Sequence, residues 1–272
     1  MHFLIIFFTS FSFFQCNKNR LPAVEPEVIT NGPLLYAGKL KSMLISHPND
    51  VSLDETIYFQ YDIVSGKMSG SVTTGVSGDT LSYYHFSTTG SNLLVADTTW
   101  YLGASPHSII RSYFYTDTLI SSMHELNSAT NESHEFLFSY NAQNRLKDIK
   151  KMRDFGGSPF AIGTAEFQWD GQNLSKTKNN LELGIYDEIS YQYTSKPNQL
   201  KKLFEQEANF YSLDPEYLSE SLLVAYKSDF KSKTYKVDYI NDENDRLIQK
   251  TTSEIIDNKW TVIETVSYNY WD

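Results

Sequence analysis

The sequence predicts an all-β fold, a long antiparallel meander of repeated hairpins that curls into an open or barrel-like sheet. Three observations predict it. The chain holds 17 Phe, 19 Tyr and 4 Trp against ten Ala, and aromatic side chains favour pleated surfaces where Ala favours helix. Aromatic and polar residues alternate in short runs such as Phe138-Ser139-Tyr140 and Tyr268-Asn269-Tyr270, the period that puts every second side chain on one face of a strand. Asn, Asp and Gly follow those runs, where hairpin turns need positive φ or side-chain hydrogen bonds. A length of 272 residues is admissible for one β domain, since such domains run to about 250 residues.

The first segment, residues 1–15, is apolar from Phe3 to Phe14 apart from Thr9, Ser10 and Ser12. It is shorter than the roughly 20 residues a membrane-crossing helix needs and has the length of a signal-peptide core. The chain's single cysteine, Cys16, stands where this run stops. The arrangement resembles a bacterial lipoprotein signal, in which the thiol takes a diacylglyceryl group and becomes the first residue of the mature chain. Gln15 and Phe13 depart from the small residue and the Leu usual at those places. The resemblance implies lipidation at Cys16, attachment to a membrane through that lipid, and location at the outer membrane, with the periplasmic face favoured because no acidic stretch follows the cysteine. One cysteine also leaves no intrachain disulfide.

Residues 16–33 read as a tether, with Pro22, Pro26 and Pro33 among small and polar neighbours. Residues 34–272 read as one repeat domain. Its strand-ending aromatics fall at Tyr61, Phe86, Tyr115, Tyr140, Trp169, Tyr193, Tyr239 and Tyr270, 24 to 31 residues apart except for one step of 46. Spacings in the mid-twenties suit two strands of about 8 to 10 residues with two connections. The long step is explained by an irregular insert near 205–223, containing Asn209, Asp214-Pro215 and Ser219-Glu220-Ser221. The last run, Val266 to Tyr270, is the first half of a unit whose return strand does not follow it.

In several copies the turn is followed by Arg-Leu or its like: Asn144-Arg145-Leu146, Asp245-Arg246-Leu247, Gly66-Lys67-Met68. This pattern resembles the degenerate YD-type repeat of uncharacterised bacterial lipoproteins, a domain of unknown function with a porin-like fold, and more distantly the repeats of Rhs-type shells. The resemblance covers about residues 56–272. It implies a fold and a compartment, and no activity or catalytic residues come with it.

Net charge is −10, which provides no basic excess to neutralise phosphates, so nucleic acid is not an expected partner. No cofactor and no metal site are expected. His124-Glu125 and His134-Glu135 flank a polar turn, but neither forms a metal-binding spacing, and they read as cross-strand polar pairs. Asn241 to Asp245 is rich in oxygen ligands, yet Arg246 and Thr252 occupy positions where a calcium loop wants Gly and Glu. It reads as a hairpin tip. Asp154-Phe155-Gly156 lacks every other element of a kinase and reads as a turn. No Gly-x-Ser-x-Gly elbow occurs, and the expectation is a protein that is not an enzyme.

Aromatics in phase with the packed face are core. Tyr84, Phe114 and Trp271 are instead expected on the opposite, outward side, where they can stack on sugar rings or a protein partner. The expected function is therefore a non-catalytic, lipid-anchored envelope protein acting as a binding or scaffold module. A glycan-binding accessory lipoprotein of an uptake system is the alternative, and a hydrolase stands behind both. Candidate partners are the membrane through the lipid, a polysaccharide or another envelope protein.

Overall fold

The computed structural model describes residues 39–271 apart from 63–64, 90–92, 104, 156–157, 182–184 and 202–214. Cys16, the signal and the tether lie outside the described residues. Sixteen strands are seen among those described. They are β1 (Leu40–Ser46), β2 (Glu55–Tyr61), β3 (Met68–Gly75), β4 (Thr80–Thr88), β5 (Leu94–Tyr101), β6 (His107–Thr116), β7 (Leu119–Asn127) and β8 (Glu132–Tyr140). The meander continues through β9 (Leu146–Phe155), β10 (Ser158–Asp170), β11 (Asn173–Leu181), β12 (Ile185–Pro197), β13 (Ser221–Ser228), β14 (Lys233–Asn241), β15 (Leu247–Ile256) and β16 (Lys259–Tyr270). A single helical turn, α1 (Pro215–Leu218), precedes β13. Residues 221–223, read from sequence as part of the insert, open β13.

Every strand pairs antiparallel with its sequence neighbours, and β1 pairs with β16, so the meander closes into a barrel. Closure removes the exposed edges that an open sheet of this length would leave. It also supplies the return strand missing after the last unit. Leu40 pairs with Tyr270 and the Trp271 amide donates to the Lys39 carbonyl at 2.9 Å, so Lys39-Leu40 at the start of β1 completes the hairpin that Tyr270 begins.

The turns explain the recurring Asn and Asp. At β8–β9, Asn141 Oδ1 accepts from the Gln143 and Arg145 amides, both at 3.0 Å, and Asn144 has φ of 57°. At β14–β15, Asp242 Oδ1 accepts from the Asn244 and Arg246 amides at 2.9 and 2.8 Å, with Asp245 at φ of 59°. Asn and Asp are the residues that tolerate this left-handed conformation besides Gly, because the short side chain hydrogen-bonds locally. The Asn241 to Asp245 stretch is thus the hairpin tip that the sequence indicates.

A second regularity joins one hairpin to the next. In five units the strand-ending aromatic donates its polar tip to a backbone carbonyl at the start of the preceding return strand. Tyr61 donates to Leu40, Tyr115 to Leu94, Tyr140 to Ile120, Trp169 to Leu146 and Tyr270 to Leu247, at 2.6 to 2.9 Å. A cation one residue before the carbonyl often lies over the same ring: Lys39 over Tyr61, Arg145 over Trp169 and Arg246 over Tyr270. The Arg-Leu pair of the repeat therefore contributes a cation–π contact and a hydrogen-bond acceptor to one aromatic neighbour.

These latches lie at the end of the barrel where Lys39 meets Trp271. Just inside it sit three apolar clusters, centred on Phe136, Ile149, Phe167 and Leu174; on Leu40, Leu247, Val266 and Tyr268; and on Met68, Phe86 and Leu94. The described residues on either side of 202–214 lie at the same end. Tyr217 of α1 packs against the second cluster, which includes buried Leu200, and Leu218 packs against the first.

Candidate functional site

Farther from the latched end the inward face turns polar. On β5, β6 and β7, Asp97, Arg111 and Glu125 pair in register on one inner wall. Arg111 Nη1 donates to Asp97 at 3.1 Å and its Nε donates to Glu125 at 2.9 Å. The Tyr113 hydroxyl donates to the other Asp97 oxygen at 2.5 Å. The carboxylate side chains are 1% and 4% exposed. Burying two carboxylates is expensive, and a guanidinium that reaches both at once is the side chain best shaped to offset it.

Burial raises the Asp97 carboxyl above its ordinary range, and attraction to Arg111 with the Tyr113 hydrogen bond does not fully cancel that. Burial alone would lower Arg111, but Asp97 and Glu125 more than compensate and hold its charge firmly. Tyr84 and Tyr113 are pushed far up, first by burial and then by the Asp97 charge. Both therefore remain neutral phenols around neutral pH. Tyr101, also raised by burial, stacks on His107 with ring centroids 4.6 Å apart. Other inward ionic groups line the same polar zone, with Glu264 held between His47 and Lys250 and Lys233 bonded to Glu254 at 2.6 Å.

The three aromatics expected to face outward are placed differently from one another. Tyr84 corrects the expectation: it alternates in phase with buried Phe86, packs on that cluster, and faces the interior. Its neighbour Tyr83 is the outward residue. Phe114 does face outward, 48% exposed, with His124 at a centroid distance of 5.0 Å. Trp271 is half-buried after the end of β16, with the Lys41 ammonium 4.7 Å from its ring centre. The structure does not bring the three together.

His124 pairs with Glu135 and His134 with Glu125 across β7–β8, so the two imidazoles lie on opposite faces of the sheet and cannot share a ligand. They are the cross-strand polar pairs read from sequence. Among the described residues no cluster of three His, Cys, Asp or Glu side chains is placed to hold a metal ion. Sequence reasoning missed the Asp97–Arg111–Glu125 group. The available signal was the phase of Arg111, two residues before Tyr113 and four before Tyr115 on the packed face of β6.

The outer wall divides into two regions. Across β9 to β12, Asp148, Glu166, Lys178 and Glu188 form one outward row in register. Lys178 lies 3.7 Å from Glu188, which Lys176 also bonds. On β14, Lys236 and Asp238 pair on the same outer face at 2.8 Å. Across β2 to β5 the corresponding outward row is Tyr58, Val72, Tyr83 and Trp100.

No protein-family model matches the chain, and no curated protein matches it in sequence. A crystal structure of a porin-like protein from Bacteroides uniformis is similar at TM-score 0.52 and 12% identity, covering 86% of this chain and 98% of that one. The chain has a porin-like fold. A porin-like protein from Bacteroides vulgatus gives TM-score 0.39 at 8% identity over 86% of this chain and 99% of that one. The Tc holotoxin pore of Photorhabdus luminescens gives 0.30 at 11% identity, over 77% of this chain and 8% of that one. At 12% identity the Bacteroides uniformis likeness speaks to the fold alone. Among the described residues no helix is long and apolar enough to cross a membrane.

Proposed function

We propose that this is a non-catalytic cell-envelope protein whose porin-like barrel stands in water beside a membrane, held there by a lipid on Cys16, and acts as a binding or scaffold module. The observation that carries this reading is the charged outer row Asp148, Glu166, Lys178 and Glu188 that crosses β9 to β12. A barrel that spans a bilayer presents an apolar band about 25 Å tall, and each lysine facing lipid at the midplane costs about 2 to 4 kcal/mol. Four adjacent strands that present charged side chains outward, with Lys176 and Lys178 paired to Glu188, fit water instead. The lipoprotein-like placement of Cys16, the single cysteine, supplies the attachment.

Metabolic labelling with an alkyne fatty acid tests the anchor. The wild-type chain takes the label and Cys16→Ala does not. A wild-type chain without label overturns the lipid reading.

A further inference from the structure

We propose that the outer wall of β2 to β5 binds a neutral polysaccharide, with Tyr58, Tyr83 and Trp100 as the stacking platform. The proposal rests on reading the protein as a binding module and names its ligand class. Tyr58 pairs with Val72, Val72 with Tyr83, and Tyr83 with Trp100. The four residues therefore form one straight row across four strands. Their neighbours Phe59, Tyr84 and Tyr101 face the interior, where Phe59 and Tyr84 join the apolar cluster and Tyr101 stacks on inward His107. The strand alternation thus turns the row outward. With strands about 4.8 Å apart, the row from Tyr58 to Trp100 runs about 14 Å, enough for several sugar rings.

Tyr58 is 47% exposed, whereas Val72, paired between the two tyrosines, is 1% exposed. The wall around the row is nearly free of charge. The outward residues of β4 to β6 include Leu81, Tyr83, His85 and Ser87, then Ala96, Thr98 and Trp100, then Ser108, Ile110, Ser112 and Phe114. An acidic or basic partner finds no opposite charge there, in contrast to the ionic wall of β9 to β12. Sugar rings have apolar faces that stack on aromatics and hydroxyl rims that pair with Ser and Thr, and they carry no charge to desolvate. A second copy of the chain would need a contiguous apolar core, and here Ser and Thr separate the apolar side chains.

Affinity electrophoresis of the purified 16–272 chain carrying Cys16→Ala tests this, in gels containing starch, xylan or galactomannan, with polygalacturonate as the acidic control. Retardation by at least one neutral polymer is expected. Tyr83→Ala and Trp100→Ala should each weaken it about tenfold, which corresponds to about 1.4 kcal/mol. Lys178→Ala on the opposite wall should leave it unchanged, and circular dichroism melting reports whether each variant is folded. If a variant unfolds, Tyr58→Ser is read in its place. No retardation by any neutral polymer, retardation untouched by the row variants, retardation by polygalacturonate alone, or a dimer in sedimentation that the row variants dissolve would each overturn the proposal. None of these outcomes bears on labelling of Cys16, so failure here is distinct from failure of the anchor.

Discussion

The indole Nε1 of Trp169 donates to the backbone carbonyl of Leu146 at 2.7 Å, and the Arg145 guanidinium lies over the same indole ring. One hairpin thereby grips the next, and the same grip recurs at Tyr61, Tyr115, Tyr140 and Tyr270 on their own carbonyls. Trp169→Phe keeps a ring against the first apolar cluster but removes the donor. A loss of about 1 to 2 kcal/mol is expected, the cost of a part-buried hydrogen bond with its acceptor left unpaired. Urea unfolding monitored by circular dichroism measures it, and a change within error would show that the bond contributes nothing beyond packing.

The tyrosine latches also set a response to alkali. Burial pushes Tyr115 and Tyr270 up to about 12, and the Tyr140 and Asp242 charges add to this in turn. The folded chain therefore keeps these protons where the unfolded chain, titrating near 10, has begun to lose them. Stability from these groups is complete below pH of about 10 and falls as pH rises toward about 12. Tyr115→Phe and Tyr270→Phe should flatten that decline, which a series of melting curves from pH 8 to 12 can read.

Arg111 holds two buried carboxylates. Arg111→Met leaves Asp97 and Glu125 without their cation, and breaking a buried pair from one side costs about 3 to 5 kcal/mol. The pH dependence of Asp97 runs the opposite way from that of a surface ion pair. Its carboxyl is raised in the folded state, so between its ordinary value and the raised one the native chain binds the extra proton, and stability falls as pH rises through that window. Asp97→Asn should remove this segment of the pH profile. A profile identical in the variant would show that Asp97 does not titrate there.

Ser219 ties the segment before β13 to the barrel. Its hydroxyl accepts from the Leu174 amide at 3.0 Å and donates to Tyr193 at 2.9 Å, while Asn198 bonds its carbonyl at 2.8 Å. Ser219→Ala leaves a buried amide without its acceptor, at an expected cost of about 1 to 3 kcal/mol. Hydrogen exchange should show the Leu174 amide losing protection. Unchanged protection would show that the Ser219 hydroxyl does not hold the Leu174 amide.

Much of the architecture was legible because each hairpin repeats the same local physics: in-phase aromatics, then an Asn or Asp that makes the turn. Asn141 and Asp242 sit where the repeat places them and make the same two hydrogen bonds. Barrel closure was less legible, since the partner of the Tyr270 strand is Leu40 at the other end of the chain, and no local pattern encodes such a pairing. The face of Tyr84 is not legible from alternation, because three aromatic or imidazole residues, Tyr83 to His85, stand in succession and give no phase. Its separation of two residues from Phe86 was the usable signal. The outer aromatic row needs the register of four strands, and a single strand contains only one of its members.

The most direct measurement is membrane partition of the Cys16→Ala chain expressed with its own signal. A barrel whose β9 to β12 wall faces water should leave the membrane pellet entirely, appear in the soluble envelope fraction, and melt cooperatively as wild type does after detergent extraction. A Cys16→Ala chain that stays in the pellet through alkaline carbonate would contradict the account, because strands rather than lipid would then hold it in the bilayer.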